Sequence, residues 1–126
     1  MNPNMTHNPS PSEQLVYIVD DDEALRDSLI WLLESTGLKS QAFESAEAFL
    51  TAYSPKMNGC LVLDIRMPGM SGLELFDELS ARHNPWPVIF ITGHGDVPMA
   101  VQAVKRGAHD FLEKPFNQQA LLTAVD

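Results

Sequence analysis

Three consecutive aspartates, Asp20, Asp21 and Asp22, directly follow the apolar run Leu15-Val-Tyr-Ile-Val19. A further aspartate, Asp64, directly follows a second such run, Cys60-Leu-Val-Leu63. Thr92 closes a third, Val88-Ile-Phe-Ile91, and Lys114 comes just after Phe111-Leu112. Carboxylates crowded into one cleft repel each other unless a cation is present. Such hard oxygen donors suit Mg²⁺, which commonly takes one or two carboxylates together with a phosphate. No glycine-rich loop follows the first run, so a nucleotide phosphate cradle is not expected. A carboxylate can instead attack a phosphoryl group and form an acyl phosphate, whose oxygens a metal, an ammonium and a hydroxyl would neutralise. Singly, each residue has an ordinary explanation: Asp22 as a helix cap, Lys114 as a solvated cation, Thr92 as a turn residue. A shared location is what turns them into a site.

The elements supply that location. The apolar β-branched runs read as strands buried on both faces, with Leu38 to Phe43 as a weaker edge strand. Helical spacing follows each strand: Leu25, Leu29, Leu32 and Leu33 up to Gly37; Ala46, Phe49, Leu50 and Tyr53 after a Ser45 cap; Leu75, Phe76 and Leu79 after the Ser71/Glu74 capping box. Asp96 is expected to cap a fourth helix, with Pro98 in its first turn and Val97, Ala100, Val101 and Val104 facing inward. Asn117 opens a last helix bearing Leu121, Leu122 and Val125. Strands alternating with helices in this way predict an α/β fold, a doubly wound five-stranded parallel sheet with helices on both faces. Ligands of such sheets bind outside the carboxyl ends of the strands, which is where Asp20, Asp21, Asp64, Thr92 and Lys114 fall.

Composition narrows the classes. The chain has 126 residues, the size of one domain. Eight basic against 17 acidic residues give a net charge of −9, a poor match to a phosphate backbone. One cysteine, Cys60, excludes an internal disulfide, disfavours zinc and reads as a small core hydrophobe. No apolar run approaches the roughly 20 residues of a membrane span, and no secretory signal opens the chain, so a cytoplasmic domain is expected. Residues 1–14 are polar and proline-rich and read as a flexible tail.

The segments Val16-Tyr-Ile-Val-Asp-Asp-Asp-Glu23, Val62-Leu-Asp-Ile-Arg-Met-Pro-Gly-Met-Ser-Gly72, Ile91-Thr-Gly-His94 and Phe111-Leu-Glu-Lys-Pro-Phe116 together resemble the receiver domain of two-component response regulators. Ile91-Thr-Gly-His-Gly-Asp-Val-Pro-Met-Ala100 is especially similar to FixJ-type receivers, of the LuxR/NarL class of transcriptional regulators. The resemblance covers residues 15–126 and implies a flavodoxin-like strand order of 2-1-3-4-5. It implies that Asp64 accepts a phosphoryl group from a sensor histidine kinase. Asp20, Asp21, Asp64 and the backbone carbonyl of Arg66 would hold Mg²⁺, and Thr92 and Lys114 would meet the phosphoryl oxygens. Phe111 would be the switch aromatic moving with Thr92, and the Lys114–Pro115 bond would be cis. The implied partners are the kinase and a second copy of the chain, which would dimerise on phosphorylation through a face containing Val101, Lys105 and Phe111. FixJ relatives carry a C-terminal helix-turn-helix domain, so the chain is expected to be a fragment whose DNA contact lies in a domain beyond Asp126. A stand-alone receiver acting as an interaction module is the alternative.

A phosphohydrolase of the haloacid-dehalogenase type also uses a post-strand aspartate and Mg²⁺. It needs a second aspartate two residues on, where this chain has Arg66, which cannot act as an acid near neutral pH. A phosphoacceptor is therefore expected rather than a turnover enzyme. His94 and His109 match no ligand spacing and read as surface residues. Met67 and Met70 read as loop packing, and for Met99 and Phe116 the sequence leaves core and interface both open.

Overall fold

The computed structural model describes residues 15–125; the expected tail at 1–14 lies outside them. The elements run β1 (Leu15–Val19), α1 (Glu23–Ser35), β2 (Ser40–Phe43), α2 (Ala46–Ala52), β3 (Gly59–Asp64), α3 (Gly72–Ala81), β4 (Val88–Thr92), a 3₁₀ turn (His94–Asp96), α4 (Val97–Lys105), β5 (Asp110–Glu113) and α5 (Gln118–Val125). All sheet pairings are parallel, in the order β2-β1-β3-β4-β5. This is the doubly wound, flavodoxin-like arrangement expected.

The strands alternate their side chains between two cores, as the period of two demands. Val16, Ile18, Val62 and Ile91 pack with Leu29, Leu32 and Leu33 of α1 and Leu121 of α5. Tyr17, Val19, Leu61, Leu63, Val88 and Phe90 face the opposite way, toward α2, α3 and α4. That second core holds an aromatic group in which Tyr17 stacks on Trp86 at 5.0 Å, with Phe49 and Tyr53 edge-on to Trp86. Asn84 holds the group from its rim, donating from Nδ2 to the Tyr53 hydroxyl and accepting the Trp86 N–H. Trp31, on the outer face of α1, is 68% exposed and borders a groove with Leu25, Lys114, Pro115 and Phe116.

Ser71 caps α3 through a complete capping box with Glu74, and Ser45 and Asp22 cap α2 and α1. At α4 the structure departs from expectation. Asp96 sits at the cap position but makes no side-chain cap bond, and its ψ of 5° is not the extended value of a capping residue. Its carboxylate instead accepts from Arg66. The buried face of α4 is Ala100 and Ala103, with Val97, Val101 and Val104 only half-buried, so small residues let the helix lie close to the sheet. Cys60 is half-buried rather than in the core; burial still pushes its thiol up to about 11, which leaves it unreactive. Met67 is buried, and Phe116 packs beside Leu121.

Candidate functional site

Each chemical residue is delivered by the end of a strand. Asp20 follows β1 directly, and its N–H donates to the Phe43 carbonyl, extending the pairing with β2. Its Oδ1 accepts the Asp22 N–H at 2.9 Å, while Arg26 Nη1 donates to its carbonyl at 2.8 Å. Asp22 is committed to α1, accepting from Ala24 and Leu25, which leaves the exposed Asp21 between two fixed neighbours. Asp64 and Thr92 are the last residues of β3 and β4, one position further into the strands than the apolar runs suggest. The Lys114 N–H donates to the Thr92 carbonyl at 2.8 Å, and the Lys114–Pro115 peptide is cis.

These placements bring the charges together. Carboxylate oxygens of Asp20, Asp21 and Asp64 all lie within 4.8 Å of one another. Lys114 Nζ stands 3.8 Å from Asp20 Oδ2 and 3.7 Å from Asp64 Oδ1, outside hydrogen-bond range of both. Burial, and then the negative charge of Asp20, push Asp64 up to about 6; Lys114 and the Arg66 amide pull the other way. Asp20 is raised as well, chiefly by burial. Two ionised carboxylates 4–5 Å apart repel by about 3–4 kcal/mol at an effective dielectric near 20. One ammonium among three carboxylates leaves a net charge equal and opposite to that of a divalent cation. Asp20 Oδ2 is buried without a hydrogen-bond partner, so this oxygen has a coordination position to offer. The residues fit a hard divalent cation.

Thr92 is fully buried, and its hydroxyl donates to the neighbouring Gly93 carbonyl at 3.0 Å. Phe111 is half-buried, paired in register with Phe90 and packed on the α2–α3–α4 side. Arg66 turns outward: its side chain is 73% exposed, and Nε donates to both oxygens of Asp96, at 2.7 and 2.9 Å. His109 is exposed and apart from the cluster.

Several positioning residues escaped the sequence. Gly72 begins α3 so close to β3 that a Cβ would stand 2.0 Å from the Asp64 carbonyl oxygen. The same contact lets the Gly72 N–H donate to Ile65 O. Glu47 reaches from α2 to accept the Met70 N–H at 2.9 Å, beside Gly69, whose φ of +76° turns the loop. The Ser71/Glu74 spacing pointed to the start of α3 but not to the close approach of Gly72. Nothing in sequence spacing could signal the Arg66–Asp96 pair, whose partners lie 30 residues apart.

Comparison with known proteins accords with this geometry. The profile of the response regulator receiver domain matches residues 16–126. The transcriptional regulatory protein FixJ of Azorhizobium caulinodans is 56% identical over 115 residues, covering 91% of this chain and 54% of that protein. The transcriptional regulatory protein TdiR of Thauera aromatica is 50% identical, covering 88% of this chain and 49% of its own length. The chain thus spans about half the length of the curated relatives it matches. Among solved structures, FixJ-N superposes with a TM-score of 0.82 at 50% identity, covering 90% of this chain and 91% of that one. The response regulator StyR gives 0.83 at 51% identity, covering 89% of this chain and 57% of that one. With strand order, acidic rim and sequence agreeing over nearly all of its length, the chain belongs to the response regulator receiver domains.

Proposed function

We propose that this chain takes a phosphoryl group onto Asp64 from a phosphohistidine of a sensor histidine kinase and converts it into a change at a dimerisation face. The observation that carries this is the meeting of Asp20, Asp21, Asp64 and Lys114 within one cluster at the carboxyl edge of the sheet. A carboxylate oxygen of Asp64 attacks phosphorus. The new P–O bond forms as the P–N bond to the imidazole breaks, and the departing nitrogen ends as a neutral imidazole after proton exchange with solvent. Asp20, Asp21, Asp64 and the backbone carbonyl of Arg66 hold Mg²⁺, which when bound neutralises charge on the phosphoryl and carboxylate oxygens. Lys114 closes the short distance to a phosphoryl oxygen. Thr92 exchanges its bond to Gly93 for one to the phosphoryl group, and Phe111 follows the space that Thr92 vacates.

The energy scale is adequate. Moving a two-state equilibrium from 1:99 to 99:1 takes about 5.5 kcal/mol, and each hydrogen bond to a charged group contributes about 1.5–3 kcal/mol. Two or three such bonds, gained only in the phosphorylated state, are enough. The α4–β5 face, with half-buried Val101 and Phe111 and exposed Lys105, is the surface that would respond by pairing with a second copy.

No turnover of small phosphates is expected, because Arg66 stands where a phosphohydrolase would need an acid. Two of the relatives are named transcriptional regulators, and the match covers 54% and 49% of their lengths. We therefore place this chain within a longer cytoplasmic regulator whose separate domain contacts DNA, a division that suits a receiver carrying a net charge of −9. Among the described residues no helix is long and apolar enough to cross a membrane.

Intact mass after incubation with acetyl phosphate and Mg²⁺, for the wild type and Asp64→Asn, tests the reaction. One added phosphoryl group in the wild type alone is expected; addition to both, or to neither with the fold intact, rejects Asp64 as the acceptor.

A further inference from the structure

The 3₁₀ turn and the first residues of α4 are held in an arrangement that does not suit a helix start. Asp96 occupies the cap position, yet its side chain caps nothing and its backbone lies at φ −105°, ψ 5°. Pro98 has no N–H to offer, so the Met99 amide is the donor a capping Asp96 would take. The first turn of α4 contains no acidic residue to compensate the helix dipole. What occupies Asp96 is Arg66 Nε, bound across both carboxylate oxygens, with the carboxylate itself buried. The pair joins the loop after β3, two residues past Asp64, to the segment that runs back through Gly93 to Thr92. The Asp96 N–H donates to the Gly93 carbonyl, the carbonyl that the Thr92 hydroxyl also uses. Arg66, Asp96 and Thr92 are therefore mechanically one unit.

We propose that the Arg66–Asp96 ion pair is a latch that holds the β4–α4 segment in its resting arrangement, and that a phosphoryl group on Asp64 opens it by competing for Arg66. The latch rests on the phosphoacceptor role proposed above for Asp64. A phosphoryl group carries about −1.5 to −2 charge against the single charge of Asp96. It attracts the guanidinium two residues away more strongly than the single charge of Asp96 does. The bond to Asp96 goes through Nε, which leaves the terminal Nη donors outside it. Once released, Asp96 turns about its ψ to cap α4, and this rotation carries Gly93 and frees the Thr92 hydroxyl. Two mutually exclusive partners for one carboxylate make the segment two-state rather than continuously adjustable.

The test compares the wild type with Asp96→Asn, Arg66→Gln and the double variant, all unphosphorylated and in EDTA. Asn keeps the capping ability of position 96 and loses the charge. Amide hydrogen exchange from Gly93 to Val97 is expected to be about 3- to 10-fold faster in each single variant, with the Met99 amide no faster and α5 unchanged. Self-association measured by sedimentation should tighten by a similar factor, and the double variant should match the singles, because the two residues form one contact. Unchanged exchange in both singles overturns the latch. So does faster exchange without tighter self-association, or additive effects in the double variant. If instead the wild type fails to take a phosphoryl group while the exchange results hold, the phosphoacceptor reading fails and the contact remains as a purely conformational restraint.

Discussion

A carboxylate that attacks phosphorus must be ionised, yet Asp64 sits where burial and Asp20 favour its proton. This has a consequence for stability. With a folded-state pKa of about 6 against an ordinary value of 3.8, the folded protein holds its proton more tightly than the unfolded chain does. Metal-free stability should therefore be highest near pH 4, fall as pH rises to about 6, and level off above it. The loss should reach at most about 3 kcal/mol from this group. Urea midpoints in EDTA across that range would show it, and Asp64→Asn should remove most of the slope while raising the midpoint at pH 7. Asp21→Asn should raise it less, because Asp21 is exposed. A flat wild-type profile would mean that the acidic rim is not under strain. Gly72 makes the opposite case, a residue with no chemistry that the site cannot do without. Alanine would improve helix propensity by about 1 kcal/mol, but a Cβ 2.0 Å from the Asp64 carbonyl forces β3 and α3 apart. The clash should win, and Gly72→Ala should lose about 1–3 kcal/mol net by chemical denaturation.

Among the elements, the two helices flanking the site begin in contrasting ways. The capping box of α3 is complete, so Ser71→Ala should cost about 1 kcal/mol in a thermal or urea melt. The capping residue of α4 is engaged by Arg66 instead, so that helix starts without a side-chain cap. The contrast also marks what a sequence can carry. The strands were legible because apolar runs buried on both faces have few other uses, and the capping box of α3 because its partners lie close along the chain. Asp96 was misread because an aspartate ahead of a helix looks the same whether it accepts from its own helix or from a guanidinium 30 residues distant. The inward valines expected of α4 proved half-buried because the sheet selects small Ala100 and Ala103 at closest approach, a spacing set by packing rather than periodicity. The site residues were legible one by one; their distances depended on the parallel register that aligns the strand ends.

At the scale of the molecule, the sheet separates two cores of unequal size, and α5 is the α-helix with the fewest buried residues. Its single buried residue is Leu121, which joins Leu29, Leu32 and Leu33 on the α1 side. Leu121→Ala should destabilise the fold by about 2–5 kcal/mol. It should also release α5 before the rest, visible as early loss of amide protection in that helix alone. A single cooperative loss across all helices would show instead that α5 is bound as firmly as the others. Because α5 follows directly on Lys114, Pro115 and Phe116, its docking bears on how well the ammonium is held near the carboxylates.

The two tryptophans divide these motions between them. Trp86, stacked on Tyr17 in the larger core, emits from an apolar setting and is shielded from collisional quenchers until the fold is lost. Trp31 emits from the solvent-facing side of α1, next to the groove formed with Lys114, Pro115 and Phe116. The protein thus contains a pair of native optical probes, one for global unfolding and one for the neighbourhood of the acidic rim, and Trp86→Phe and Trp31→Phe would separate their signals without any added dye.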